Sequence, residues 1–139
     1  MSPLIAGHAT AWGVVMHDVI VSRGAFSKLL AAGNFQPKML LGHEGEEIGR
    51  WLEFREDDVG LLAIGRLDLD AKRGRLAFEM TEDGRATGLS LGAPIVGLAR
   101  PITPEVRHCR EVFSLPEISV CEVPANPAAR LLHFTAGVA

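Results

Sequence analysis

Thr87-Gly88-Leu89-Ser90-Leu91-Gly92 is the stretch that organises the chain. Side chains alternate between the two faces of a strand. Leu89 and Leu91 therefore share one face, and Gly88, Ser90 and Gly92 the other. One hydroxyl stands between two residues without side chains. That pattern suits a nucleophile that a substrate backbone must approach closely. It equally suits a polar strand residue whose glycine neighbours mark close backbone packing or a bulge. The six residues alone do not choose between these, and the rest of the chain has to.

The totals narrow the field. The chain has 139 residues, and residues 1–139 are expected to form one domain around one core. Hydrophobic residues make up 47% and charged residues 22%, with a formal net charge of −3, which fits an ordinary globular chain. No basic stripe suggests nucleic-acid binding, and no apolar run approaches the ~18 residues of a membrane span. No basic segment leading into a long apolar one marks a signal peptide, so none is expected. Cys109 and Cys121 lack CxxC spacing, and free thiols are expected, although neighbouring strands could bring them together.

Leu4 to Val21 is apolar and strand-like, broken by Gly7 and Gly13. Phe26, Leu29 and Leu30 have the i, i+3, i+4 spacing of a short helix, with Ser22 a candidate cap and Gly33-Asn34 its stop. Lys38 to Leu41 is a short strand closed by Gly42-His43. Ile48, Arg50, Leu52 and Phe54 alternate with Gly49, Trp51, Glu53 and Arg55, and Val59 to Leu69 alternates again. These two segments read as an antiparallel hairpin across Glu56-Asp57-Asp58. Lys72 to Gly84 fits either a strand or a helix with Gly84 as its C-cap. Thr87 to Leu98 is a long strand bent near Pro94, and Arg107–Phe113 and Glu117–Val123 are two more. Pro127 to Leu132 suits one or two helical turns with Asn126 as N-cap. Six or seven short strands with one to three helices predict a mainly β, α+β fold, a small antiparallel β-barrel with peripheral helices.

A serine nucleophile needs a base, and the base needs a group to orient it. Among His8, His17, His43, His108 and His133, His43 stands at a strand end, a stiff place for a base. A surface histidine in a polar loop is the plainer alternative. His43-Glu44-Gly45-Glu46-Glu47 could also suggest a metal site. Gly45 and Gly49 argue against the helix this needs, and no second histidine completes HExxH, so no metal is expected. Glu117 follows Pro116. If Ile118 and Val120 face the core, Glu117 faces the other way with Ser119 and Cys121. It is the candidate orienting acid, with a solvated edge carboxylate as the alternative reading and His108 as the minor candidate for the third role.

Five pieces in order resemble the prohead proteases of tailed phages, relatives of the herpesvirus capsid-maturation protease assemblin. They are Arg23-Gly24-Ala25-Phe26, Leu40-Leu41-Gly42-His43 with Ile48-Gly49, Gly60-Leu61, Gly88-Leu89-Ser90-Leu91-Gly92, and Glu117-Ile118-Ser119-Val120 with Pro124-Ala125-Asn126-Pro127. Together they span roughly Gly7 to Leu132. Glu44 and Ala93 depart from the residues the family often carries there, Asp and an aromatic, and family members often have a longer charged C-terminal tail.

The resemblance implies an assemblin-type barrel and a helix over Lys72–Gly84. It implies a serine endopeptidase with Ser90 as nucleophile, His43 as general base and Glu117 as orienting acid. The herpesvirus arrangement, with a second histidine, would use His108. The implied substrate is a scaffolding protein or the scaffolding segment of the major capsid protein, cut in the host cytoplasm inside the assembling prohead. Self-association as a homodimer and self-cleavage are implied as well. No cofactor, nucleic acid or membrane is called for. The rival expectation is a non-catalytic module that binds scaffold with the same barrel.

Overall fold

A computed structural model describes residues 2–16, 19–103 and 106–134. Among these, eleven strands and two helices form two sheets. The strands are β1 (Leu4–Ala11), β2 (Val15–Met16), β3 (Val19–Val21), β4 (Lys38–Leu41), β5 (Glu44–Glu56), β6 (Gly60–Leu67), β7 (Gly88–Gly92), β8 (Ile95–Thr103), β9 (Val106–Ser114), β10 (Glu117–Cys121) and β11 (Leu131–Phe134). The helices are α1 (Ser27–Ala31) and α2 (Lys72–Glu82).

The larger sheet has seven strands in the order β11-β1-β6-β5-β4-β10-β7. Its two edges meet: Leu89 N–H donates to Ala129 O at 3.0 Å and Leu131 N–H to Thr87 O at 3.1 Å, with a bridge between Gly88 and Arg130. The sheet is thus a nearly closed barrel, which hides the edge groups that would otherwise pair with other chains. The second sheet, β2-β3-β9-β8, packs beside it. The mainly β, barrel-like class is as expected. One pair in the barrel, β4 with β10, is parallel, and so is β3 with β9 in the second sheet. Alternation reports which residues are buried, not which way a neighbour runs, so this detail is invisible in a segment read alone.

The core follows the alternation wherever the pleat is regular. Leu61, Ala63 and Leu67 of β6 are buried, as are Ile5 of β1, Met39 and Leu41 of β4, and Leu89 of β7. Strand β5 breaks the rule: Ile48 and Trp51 are buried and Leu52 is exposed, because the β5–β6 register shifts between Trp51 and Glu53. The extra residue of a bulge moves every later side chain to the other face.

Three local expectations are corrected. The Thr87–Leu98 segment is two strands in two sheets, separated at Ala93-Pro94, where Ala93 has φ 49°. Ser22 does not cap α1; the helix starts at Ser27, and the remote Glu56 carboxylate accepts from Gly24 N–H, Phe26 N–H and the Ser27 hydroxyl at 2.9, 3.2 and 2.7 Å. Pro127–Leu132 is no helix. Buried Asn126 makes an Asx turn with Ala128 N–H and donates to Thr10 Oγ1 and Ala11 O, and the chain then enters β11. Asn126 can satisfy backbone groups as a helix cap does, but here its amide also ties the turn to β1.

Within the ambiguous Lys72–Gly84 segment, helix α2 takes Lys72–Glu82, and Gly84 follows it at φ 80°. Gly74 within it touches the Asp68 carbonyl, where any side chain would collide, so the helix lies directly on the chain leaving β6.

Candidate active site

The site begins with the turn between β4 and β5. Leu41 pairs with Glu44, and the two residues between, Gly42 and His43, both have φ 63°. Two positive φ values define the type I′ turn, whose twist matches that of the strands it joins. Glycine adopts this without cost, but for His43 the left-handed conformation is unfavourable by about 1–2 kcal/mol. Neighbouring groups hold it there. Gly42 N–H donates to Val120 O at 3.0 Å, and His43 N–H donates to Ser119 Oγ at 3.0 Å. On the outer side, Arg73 of α2 donates to Leu41 O at 2.9 Å and packs against Gly45, where a side chain would strike the guanidinium.

Strand β10 lies between β4 and β7 and is buried along its whole length. Glu117 and Ser119 are two apart and so share a face. The His43 imidazole donates from Nδ1 to Glu117 Oε1 at 2.5 Å. Ser119 Oγ donates to Glu117 Oε2 at 2.6 Å. Both carboxylate oxygens therefore have a donor, as a carboxylate that is only 9% exposed requires.

Strand β7 pairs antiparallel with β10, placing Ser90 opposite Ser119 and Gly92 opposite Glu117. Ser90 is 3% exposed and lines, together with His43, a cavity of about 270 Å³ between the barrel and the second sheet. Val19, Val21, Leu91, Val96 and Val112 contribute most of its apolar wall, and Cys109 also lines it. Among the described residues no hydrogen bond joins Ser90 to His43. Serine–base contacts often form only when substrate is bound.

Of the two roles open to Gly88 and Gly92, close packing is the one the barrel uses. A side chain at Gly88 would run into the Ala129 carbonyl and Pro124, and one at Gly92 into the Glu117 carboxylate. Both spaces are filled by the protein itself. They allow the barrel to close and the acid to sit against β7, and they are not openings for substrate.

The other histidines lie apart. His108 of β9 shares a 3.0 Å hydrogen bond with the Ser22 hydroxyl, while Nδ1 of His43 is occupied by Glu117. His8 contacts both oxygens of Asp57, at 3.0 and 2.8 Å. Burial pushes the Asp57 carboxyl up, but the Gly60 N–H, His8 and the Val59 N–H together outweigh it and hold the group below its ordinary value. This pair fastens the β5–β6 turn. His133 is on β11, and His17 lies outside the described residues. Cys109 and Cys121 are free thiols. Burial, and then the charge of Glu117, pushes Cys121 up to about 11. No group of three or more His, Cys, Asp or Glu is arranged to hold a metal ion among the described residues.

Ser119 was legible only as a neighbour of Glu117, two residues on and on the same face. Its link to the His43 backbone depends on β4 running parallel to β10.

The barrel thus places a serine and a His–Glu pair at one cavity. The fold is similar to that of the KSHV protease, solved in complex with a hexapeptide phosphonate inhibitor: TM-score 0.61 at 10% identity, covering 99% of this chain and 66% of that one. The chain belongs to the caudovirus prohead serine protease family, whose model matches residues 2–136. It is 30% identical over 112 residues to the prohead protease of Enterobacteria phage HK97, a match covering 79% of this chain and 50% of that one. The chain thus spans about half the length of that relative.

Proposed function

We propose that this chain is a serine endopeptidase in which Ser90, His43 and Glu117 act together. The observation that carries the reading is the His43 Nδ1–Glu117 Oε1 contact of 2.5 Å beside a cavity that His43 and Ser90 both line. With Nδ1–H held by the carboxylate, Nε2 carries the basic lone pair. Ser90 Oγ attacks the peptide carbonyl carbon, and its proton passes to Nε2. The tetrahedral intermediate collapses to an acyl-enzyme, and Nε2–H protonates the departing amine. Water then attacks the ester by the same route and regenerates the serine. Glu117 stays ionised throughout and stabilises the imidazolium.

Backbone N–H groups must hold the oxyanion. We assign them to the Gly97–Arg100 segment of β8, next to cavity-lining Val96. The β8–β9 register shifts between Gly97 and Leu98 and between Leu98 and Pro101, the kind of irregularity that can free a backbone N–H from the ladder. The cavity is walled mainly by aliphatic side chains, so the substrate side chain it receives is apolar. The substrate is a scaffolding protein or the scaffolding segment of the major capsid protein, cut inside the assembling prohead in the host cytoplasm. There a high local concentration suits even a slow enzyme. The enzyme associates with itself or cuts itself, and uses no cofactor.

The test has two arms. The purified chain is treated with a peptidyl phosphonate and the modified residue is mapped; labelling at Ser90 is expected. Co-expression with the capsid and scaffolding proteins should yield new termini that disappear in Ser90→Ala. Absence of labelling together with unprocessed capsid protein would leave a non-catalytic scaffold-binding module as the better reading.

A further inference from the structure

We infer that Ser119 is a positioning residue for the His43–Glu117 pair, an inference that rests on the catalytic reading above. Its hydroxyl closes a ring of hydrogen bonds. His43 N–H donates to Ser119 Oγ at 3.0 Å, Ser119 Oγ donates to Glu117 Oε2 at 2.6 Å, and Glu117 Oε1 accepts from His43 Nδ1 at 2.5 Å. The imidazole of one histidine is thereby tied to the carboxylate directly, and the backbone of the same histidine is tied to it through one hydroxyl.

Each link has a physical consequence. The backbone contact holds His43 in its left-handed turn conformation, so the base leaves the strand end in a fixed direction. The contact to Oε2 fixes the rotation of the carboxylate about its terminal bond. With that rotation fixed, Oε1 points its lone pair at Nδ1–H, and the tautomer with a free Nε2 is selected. Ser119 is 0% exposed, so no water replaces it when it is removed without rearrangement. The hydroxyl proton is already committed to Glu117. Although Ser119 lies opposite Ser90 across the β7–β10 ladder, it is therefore not a second nucleophile.

The experiment compares Ser119→Ala and Ser119→Cys with the parent chain. A peptidyl diphenyl phosphonate gives the maximal rate of Ser90 labelling and the probe concentration for half that rate. Proton NMR follows the downfield resonance of His43 Nδ1–H, assigned by its loss in His43→Ala. If Ser119 positions the pair, Ser119→Ala slows maximal labelling by about 10- to 100-fold, the loss that goes with one hydrogen bond to a charged group, while the half-saturating concentration stays within about threefold. The downfield resonance should shift or broaden. Ser119→Cys, which restores volume but donates weakly, should behave like Ala.

A merely structural Ser119 would give the opposite result. Cys would restore the parent rate and resonance, or Ala would keep both, and either outcome overturns the inference. A parent chain that is never labelled at Ser90 would instead sink the catalytic reading. The resonance would then still report whether Ser119 holds the pair.

Discussion

Gly92 and Glu117 occupy one shared space: they face each other across β7 and β10, and a side chain on Gly92 would fall on Glu117 Oε1, the oxygen that accepts from His43. The last glycine of the Gly88–Gly92 strand is thus part of the acid's seat. Gly92→Ala should displace the carboxylate and separate it from Nδ1. Loss of a third triad member can reach ~10⁴-fold, and a displaced one should lower Ser90 labelling by at least about 100-fold. Overpacking should cost about 1–3 kcal/mol, read by denaturant unfolding. Unchanged labelling in Gly92→Ala would show that Glu117 does not support the base.

The roles of the proposed triad separate in one cleavage assay. Ser90→Ala should abolish processing, since no other group forms the acyl-enzyme. His43→Ala should be nearly as severe. Glu117→Gln should be low but measurable, because it keeps shape and removes the charge that supports the imidazolium. His108→Ala should cut like the parent, as His108 bonds Ser22 and not His43. A crippled His108→Ala beside an active Glu117→Gln would reassign the third member.

On the proposed reading, the cavity wall sets which substrate side chain enters. Val96 lines it and is only half-buried, so Val96→Trp should fill space without disrupting the core. The expected signature is a KM raised about tenfold or more for apolar substrates with a smaller change in kcat, the pattern of lost ground-state binding. Unaltered KM in a peptide assay would place the substrate side chain elsewhere.

Glu56 substitutes for a missing helix cap. Glu56→Ala leaves Gly24 N–H, Phe26 N–H and the Ser27 hydroxyl without their acceptor. A loss of about 1–2 kcal/mol is expected, and thermal or denaturant unfolding measures it. Stability equal to the parent would mean that water serves these donors as well.

The cysteines make a pH prediction. A thiol whose folded pKa lies above its ordinary value contributes stability below the unfolded pKa and loses it as pH rises through the folded one. For Cys121 that window runs from 9.0 to about 11. Stability should fall across it, and the fall should be smaller in Cys121→Ala. At neutral pH both buried thiols should alkylate slowly in the native chain and rapidly in denaturant. Fast native alkylation of Cys121 would contradict its burial.

What the chain order alone determined was local and pattern-borne. Period-2 alternation located most strands, and the barrel class followed from their number and length. Ser90 stood out between Gly88 and Gly92 on one strand face, His43 at a strand end beside Gly42, and Glu117 at a strand start after Pro116, while the family resemblance joined the three. Other features depended on partners distant in sequence. The parallel β4–β10 pairing brings His43 over Ser119 and Glu117, residues 76 and 74 positions away. Glu56 reaches α1 from 29 to 32 positions away, and the bulge at Leu52 is set by the register with β6. Glycine spacing cannot say whether a missing side chain admits a substrate or the protein's own atoms. Only the packed barrel decided that Gly92 makes room for Glu117, because excluded volume is a property of neighbours in space and not of neighbours in sequence.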